Sequence, residues 1–446
     1  MIKIFDSMSK TKKKLTTDQI VNLYLCGPTV YNYVHIGNIR PVLVLDVLHR
    51  LLRQKKYEIN YVHNVTDIDD KIVHQAEKEQ TTEAAISEKY LRAYLNDLET
   101  LNILTPTKMP KVTDYIPDNI KFIEKLIEKK FAYVADSDVY FQVEKISSYG
   151  ALANKNLNEL LANVRVANKE NKASAFDFAL WKDTRVGINW DSPWGKGRPG
   201  WHTECVVFID KEFGGKTINL HGGGVDLKFP HHENERAQFL AATNQELATI
   251  WWYNGHINLA SEKMSKSLNN VVFVKDFCQQ YHPSVLRYLI LNHDHHQPID
   301  FTEQLIIEAV STSEKYQDML QIWSYHSFIN QATLSNDYDE NYQQAVLEHL
   351  SDNINTTNTF TIISNMIKLL NQAISNKDFG AEQQKIFCTL VFVLELLGFN
   401  FKFGNYTDEE KAKIKTWEEL KAKKDFAKAD QLRAELQALG VLPKIN

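Results

Sequence analysis

The chain has 446 residues, and at about 100–200 residues per domain this length predicts roughly three domains, each able to enclose a core. With 43% hydrophobic and 24% charged residues and a net charge of −5, the composition is that of an ordinary soluble protein. It excludes nucleic-acid binding through overall charge and leaves any such contact to local basic patches. Four widely spaced cysteines (Cys26, Cys205, Cys278, Cys388) without a Cys-x-x-Cys pair exclude a disulfide framework; no apolar stretch follows the Lys/Thr run at 10–14, and none reaches the about 18 residues of a membrane span, so a cytoplasmic protein without a membrane partner is expected.

Val21, Leu23 and Leu25 alternate as one face of a strand that ends at Cys26, a Gly27-Pro28 turn follows, and His35-Ile-Gly-Asn38 opens a helix. Pro41 falls in the first turn of the apolar run 42–52, and Ile59, Tyr61, His63 and Val65 then recur with period two as a second strand. Such a βαβ unit predicts a parallel sheet with right-handed crossovers and a ligand beyond the carboxyl ends of its strands, where Cys26 and Thr66-Asp67 lie. Residues 75–130 read as helical, 134–143 as a hairpin, and 147–175 as polar and weakly patterned. Strand and turn patterns resume after Trp201, at 217–220 and 251–253. From about 301 onward the pattern is helical, interrupted where Gly398 and Gly404 bracket an aromatic alternation. The expected class is α/β: a Rossmann-like parallel-sheet domain carrying an insertion, followed by a mainly α-helical C-terminal region.

A helix opening at the end of a strand presents unpaired N–H groups and the positive end of its dipole to a phosphate, so His35-Ile-Gly-Asn38 points to a nucleotide. By itself the tetrapeptide is equally a turn with a satisfied histidine. Lys263-Met-Ser-Lys-Ser267 lies far downstream after a strand-like run; two lysines three apart in a polar loop suit the charge developing on a departing pyrophosphate, although alone they describe a solvated loop.

Together the two stretches resemble the HIGH and KMSKS signatures of class I aminoacyl-tRNA synthetases. Four more narrow the resemblance to the cysteinyl-tRNA synthetase family: Cys26-Gly-Pro-Thr-Val-Tyr31, Asn64-Val-Thr-Asp-Ile-Asp-Asp-Lys71, Gly200-Trp-His-Thr-Glu-Cys205 and the run from His221-Gly-Gly-Gly224 through Asp226 to His231-His-Glu-Asn-Glu235. The match is dense over about 20–300 and thinner beyond, where Asp352-Asn-Ile-Asn-Thr356 and Lys424-Asp-Phe-Ala-Lys-Ala-Asp430 echo the helical and anticodon-binding parts. It implies a catalytic domain in two halves, 1–114 and 201–260, separated by a connective insertion at 115–200. A KMSKS and stem-contact region at 261–310, a helical bundle at 311–398 and a short anticodon-binding region at 399–446 follow.

The resemblance implies an L-cysteine–tRNA ligase with L-cysteine, ATP, Mg2+ and tRNA(Cys) as partners, acting as a monomer. A metal site is also reached from the residues. Pro230 suits a helix's first turn, which sets His231 and Glu235 at i and i+4 on one face and pairs His232 with Arg236 instead. Cys26 and Cys205 lie at turn-rich junctions of the sheet domain, and thiolate, imidazole and carboxylate are the ligand types of tetrahedral zinc. Buried cysteines as small hydrophobes and a surface His-Glu pair are the plain alternative; in the family these four positions hold one Zn2+. By family position His35, Lys263 and Lys266 stabilise the phosphates, Asn38, Gly222, Gly223, Gly224 and Asp226 bind ATP, and Gly27, Thr66, Trp201, His202 and His221 line the amino-acid pocket. Zinc explains how cysteine is told from serine, since an apolar pocket separates such near-isosteres by only about 10–200-fold, and no editing domain is then expected.

Departures from the family pattern are Asn38 in place of the last histidine of its motif, Asn269 where glycine is usual, and a chain that stops at Asn446 without a further acidic and aromatic strand. Two other readings keep part of the pattern. One is a cysteine-activating ligase with a small amine as acceptor, against which stand the interleaved basic residues at 411–433. The other is a non-catalytic RNA-binding relative, against which stand His35, both lysines and all four metal positions.

Overall fold

The computed structural model describes residues 1–16, 18–154, 172–259, 262–264, 270–332 and 337–443. They divide into two compact units: 1–45, 52–276 and 295–299 form the first, and 46–51, 277–294 and 300–446 the second. Among the described residues no helix is long and apolar enough to cross a membrane.

The first unit opens with an antiparallel pair, β1 (Lys3–Asp6) and β2 (Thr11–Lys14), and is built on a parallel sheet. Strand β3 (Ile20–Leu25) pairs with β4 (Glu58–His63) on one side and with β9 (Ile218–Gly224) on the other, and β10 (Ala248–Asn254) completes the order β10-β9-β3-β4. The chain leaves β3 toward β4 and returns much later beside β3's other edge. This divergence opens a crevice at the carboxyl ends of β3 and β9, where α/β sheets bind ligands. Tyr24 is as fully buried as the alternating Val21, Leu23 and Leu25, because a central parallel strand is covered on both faces.

Helix α1 (Ile36–Gln54) starts five residues before Pro41, which therefore lies inside the helix rather than in its first turn. The proline has no N–H to donate to the carbonyl of Gly37, four residues before it. Residues 75–130 are helical in three pieces, α2 (Asp70–Glu79), α3 (Glu83–Thr100) and α4 (Ile116–Glu128). The Asp69 and Thr82 side chains cap the first two by accepting from the N–H groups of Lys71 and Ala85. The expected hairpin is β5 (Ala132–Ala135) with β6 (Asp138–Phe141). It extends through β7 (Phe178–Asp183) and β8 (Gly197–Pro199) into a four-stranded antiparallel sheet. Helices α5 (Trp201–Glu212) and α6 (Glu233–Thr243) return the chain to the parallel sheet.

The second unit is helical, as its pattern predicts. Its helices include Glu303–Ile329, Glu340–Ser351, Thr356–Ser375, Asp408–Ala422 and Phe426–Ala438, each opened by a Thr, Asp or Asn whose side chain accepts from the first turn. At Thr407 the cap is reciprocal, since the Glu410 side chain accepts from the Thr407 N–H. The interruption after 396 has a cause in its glycines: Gly398 and Gly404 have φ of +79° and +69°, a region that side chains disfavour. Between them Phe399 and Phe401 stack with ring centroids 5.7 Å apart.

One carboxyl of the first unit is poorly placed. Asp97 lies in the last turn of α3, where the helix dipole is negative, is only 2% exposed, and has no partner for its Oδ2. Burial pushes its pKa up to about 7, against the attraction of Lys275 and with the repulsion of Asp276. Between its ordinary 3.8 and about 7 the folded protein holds a proton that the unfolded chain releases, so this group costs stability as pH rises through that window. Asp97→Asn is therefore expected to raise Tm by about 2–4 °C at pH 8 and to leave it unchanged near pH 3.5, a difference scanning calorimetry at the two pH values measures.

Candidate active site and metal centre

Cys26 follows the last residue of β3, and its N–H donates to the Gly222 carbonyl of β9 at 3.3 Å, which anchors the thiol over the crevice. The next residue is held from the other side. The Gly27 N–H donates to Asn64 Oδ1 at 2.9 Å, and a Cβ at Gly27 would stand 1.5 Å from the Asn64 carbonyl oxygen. Thr66 continues the seam, its N–H donating to Pro28 and its carbonyl accepting from Val30. Turn and strand end are thus joined so closely that only glycine fits between them.

Four donor side chains meet in this seam. Cys26 Sγ lies 3.9 Å from Cys205 Sγ, 3.7 Å from His231 Nε2 and 3.8 Å from Glu235 Oε1; Cys205 Sγ lies 3.6 Å from His231 Nε2, and His231 Nε2 2.7 Å from Glu235 Oε1. With bonds of about 2.0–2.3 Å, a tetrahedral zinc separates its ligand atoms by roughly 3.3–3.8 Å; the sulfur-to-nitrogen separations match this, the sulfur-to-sulfur one is slightly longer, and His231 and Glu235 at 2.7 Å are hydrogen-bonded to each other. Cys205, His231 and Glu235 are buried, so exchange with bulk water is restricted. The group holds its charges internally. Burial opposes a charge on His231, yet the Glu235 carboxylate raises its pKa to about 10, and Glu235 is in turn held well below its usual range by the histidines around it.

His232 also turns inward, contrary to the expected pairing with Arg236. Its Nε2 lies 3.3 Å from Cys26 Sγ and its Nδ1 2.9 Å from the Tyr253 hydroxyl, and it, rather than the expected Cys205, completes with Cys26, His231 and Glu235 the group whose ligand atoms all lie within 4.8 Å of one another. The reason is burial: Phe229 is extended (φ −142°, ψ 133°) but the backbone is helical from His232 on, and His232 and residues 233–239 are buried on every face, so His232 finds Tyr253 and Cys26 while Arg236 is taken by other carboxylates. Arg236 pairs with Glu246 and Glu233.

Around the cluster stand the other expected residues. Trp201 stacks on His231 at 4.3 Å and stays 42% exposed, while His202 Nδ1 lies 3.0 Å from His231 Nδ1. His221 Nε2 lies 2.6 Å from Glu235 Oε2. A cavity of about 420 Å³ opens beside them, bordered by Cys26, Gly27, Trp201, His35 and Asn38, by Gly223 and Gly224 at the end of β9, and by Asp226 in the turn after it. Gly222 lies behind this wall, where a Cβ would press on the Trp252 ring at 2.7 Å. The Gly37 N–H donates to His35 Nδ1 at 3.2 Å, which puts the ring proton on Nε2. Lys263 pairs through its backbone with Asn258 in a short hairpin; its side chain, Lys266 and Asn269 lie outside the described residues.

Residues 12–311 match the family model of the class I tRNA synthetase (C) catalytic domain. The cysteine–tRNA ligase of Mycoplasma mycoides subsp. mycoides SC is 42% identical over 446 residues, covering 99% of this chain and 100% of the relative. That of Mesoplasma florum is 38% identical over 443 residues, covering 99% and 100%. The chain belongs to the cysteinyl-tRNA synthetase family. Its fold is shared more widely among class I enzymes: methionyl-tRNA synthetase of Mycobacterium tuberculosis, in complex with methionyl-adenylate, aligns over 85% of this chain and 89% of that one with a TM-score of 0.61 at 14% identity.

In this synthetase the cavity has further walls that the sequence did not single out for the site, His63, Tyr94, Tyr31 and Lys71. His63 Nδ1 lies 3.0 Å from the Leu25 carbonyl and its Nε2 2.6 Å from the Tyr94 hydroxyl, and burial lowers its pKa to about 4, so the ring is neutral and bridges β3 to α3. Period-two alternation places His63 on a strand but carries no sign that it meets a tyrosine thirty-one residues later. The Gly27–Asn64 contact is the tightest constraint on the synthetase site. Gly27→Ala is expected to lower Tm by at least about 3 °C, because backbone rather than a flexible side chain must move; a Tm within 1 °C of the unaltered protein, by calorimetry, would refute the close approach.

Proposed function

We propose that this chain activates L-cysteine with ATP·Mg2+ and transfers it to the 3′ end of tRNA(Cys), with Zn2+ held by Cys26, Cys205, His231 and Glu235 recognising the substrate thiol. The observation that carries the reading is the convergence of two thiols, an imidazole and a carboxylate at the strand ends of a member of this family. When bound, zinc favours the thiolate of cysteine over the hydroxyl of serine, a far poorer ligand.

The chain's own residues then arrange the reaction. A cysteine carboxylate oxygen attacks the α-phosphorus of ATP as the bond to pyrophosphate breaks, and a ribose hydroxyl of the tRNA next attacks the acyl carbon as AMP leaves. Both steps depend mainly on placement and on charge stabilisation. His35, with its proton on Nε2, donates to a phosphate oxygen, and Asn38 at the start of α1 adds polar contact beside the helix N-terminus. Gly223 and Gly224 admit the nucleotide close to the backbone of β9, with Asp226 set to accept from the ribose hydroxyls. Lys263 and Lys266 meet the pyrophosphate. Gly27, Thr66, Trp201, His202 and His221 form the amino-acid pocket, with Trp201 as the exposed wall that the substrate covers.

Cysteine-dependent ATP–pyrophosphate exchange followed by a charging assay on tRNA tests the reading. Both are expected to be positive. Exchange without charging would move the assignment to a ligase with an amine acceptor, and absence of both would leave an RNA-binding relative. Cys26→Ser is expected to lose its equivalent of zinc by metal analysis and to reduce the preference for cysteine over serine to the about 10–200-fold that shape alone provides; a full equivalent of zinc in that variant would sink the metal site.

A further inference from the structure

The second unit has a cavity of its own, of about 300 Å³, bordered by the helix Glu303–Ile329, by Phe401 of the glycine-bracketed break and by the turn that follows the helix Phe426–Ala438. Three amides on its walls have a fixed direction. Gln317, Gln321 and Gln437 donate from Nε2 to the carbonyls of Lys402 at 2.7 Å, Gly440 at 2.8 Å and Pro443 at 2.7 Å; a carbonyl only accepts, so the atom facing each of them is nitrogen. The three amide oxygens are left without a partner among the described residues. Gln321 is only 6% exposed, so what its oxygen lacks must come from the cavity it borders. Glu314 and Asp318 stand one helix turn apart on the same wall, where like charges repel. Neither forms an ion pair among the described residues, whereas Glu382, Asp408, Glu409 and Glu418 of the same unit each meet a lysine three or four residues on. Lys315, between them in the chain, does not border the cavity, and Lys402 is turned to the Leu439 carbonyl and to Glu410. Burial lowers the pKa of His282 on the opposite wall, so its ring brings no positive charge either.

We infer that this cavity binds an aliphatic amine, with the ammonium group held by Glu314, Asp318 and the Gln321 oxygen and the methylene chain laid along Phe401 and Leu442. An ammonium brings three N–H donors and a full positive charge, so it satisfies carboxylate and amide oxygens together, while an anion would find only acceptors and repulsion. The apolar wall selects further: Leu442 is buried and Phe401, stacked beside His282, is half-buried, and such surface is matched by methylenes and not by a bare metal ion. The volume stands at the lower end of small-molecule cavities, about 300–1,000 Å³, which suits a short amine chain. Burial and the charge of Glu314 push the carboxyl of Asp318 up, a strain that a cation between the two relieves. Because Gln321 and Gln437 already hold the C-terminal turn by its carbonyls, an amine bound there clamps that turn to the helix Glu303–Ile329. The site uses no residue of the cysteine-activation reading and stands or falls apart from it.

The test is isothermal titration calorimetry on the full chain at about 0.15 M NaCl, where exposed charges are screened. Spermidine stands for a free amine and Nα-acetyl-lysine amide for the side chain of a partner protein, and the tighter binder identifies the source. One of them is expected to bind once per chain with a Kd below about 1 mM. Asp318→Asn and Glu314→Gln are each expected to weaken it by about fivefold or more, while Glu382→Gln, which removes an exposed carboxylate of another helix, changes it by less than about twofold. Tetramethylammonium, a cation without N–H groups, is expected to bind at least about tenfold more weakly. Amide hydrogen exchange locates the occupant, with slower exchange expected at 317–321 and 437–442 in saturating amine. No saturable binding of either amine, unchanged affinity in both carboxylate variants, equal affinity for tetramethylammonium, or protection confined to the first unit would overturn the inference. Both substitutions keep the side chain's shape and remove a repulsion, so the variants are expected to melt no lower than the unaltered protein when no amine is present.

Discussion

The close approach of Gly27 to Asn64 is the contact on which the rest of the site depends. It joins the turn after β3 to the end of β4 with no room for a side chain, and it fixes the two positions that flank it. Cys26 is then aimed into the crevice between β3 and β9, and Thr66 is brought alongside the same turn. A parallel sheet supplies strand ends that diverge, but divergence alone leaves a loose cleft. Here the Asn64 amide, bonded to the turn through its oxygen and to Thr66 through its nitrogen, ties the two strand ends into a fixed wall.

Next to this wall the protein accepts an arrangement that packing alone would not favour. Two thiols, an imidazole and a carboxylate share one largely buried volume at the edge of the cavity, with His221 and His232 pressed against them. Buried charge is costly unless paired, and a set of apolar side chains of the same volume would serve stability as well or better. The group persists as mutual pairs: Glu235 lies between His221 and His231, and His232 between Cys26 and Tyr253. Such a set is a functional feature with a structural cost, and a divalent cation is the ligand that would resolve it. The same logic separates it from Asp97, a buried carboxyl of the same unit with an unpartnered oxygen.

What the sequence by itself determined were properties carried by short-range physics. Alternation in β3 and β4, the hairpin expected at 134–143 and found at 132–141, and the glycine-bracketed break after 396 are set by neighbours a few residues apart. The order of motifs was equally legible, and with it the family, because residues such as Cys26, Cys205 and the His231/Glu235 pair are recognisable by type and spacing. Only the tertiary structure decided the rest. His232 faces the cluster because the helix it opens is buried on every face, so helical spacing alone does not say which histidine turns inward. His63 borders the cavity because Tyr94 arrives from a helix distant in the chain, and Asn64 turns its amide oxygen to the Gly27 N–H because the fold brings that turn against the end of β4. Sequence periodicity reports which face of an element is buried. Which partner waits there, and which atom of an amide or hydroxyl is turned toward it, depends on contacts between residues distant in the chain that no local pattern encodes.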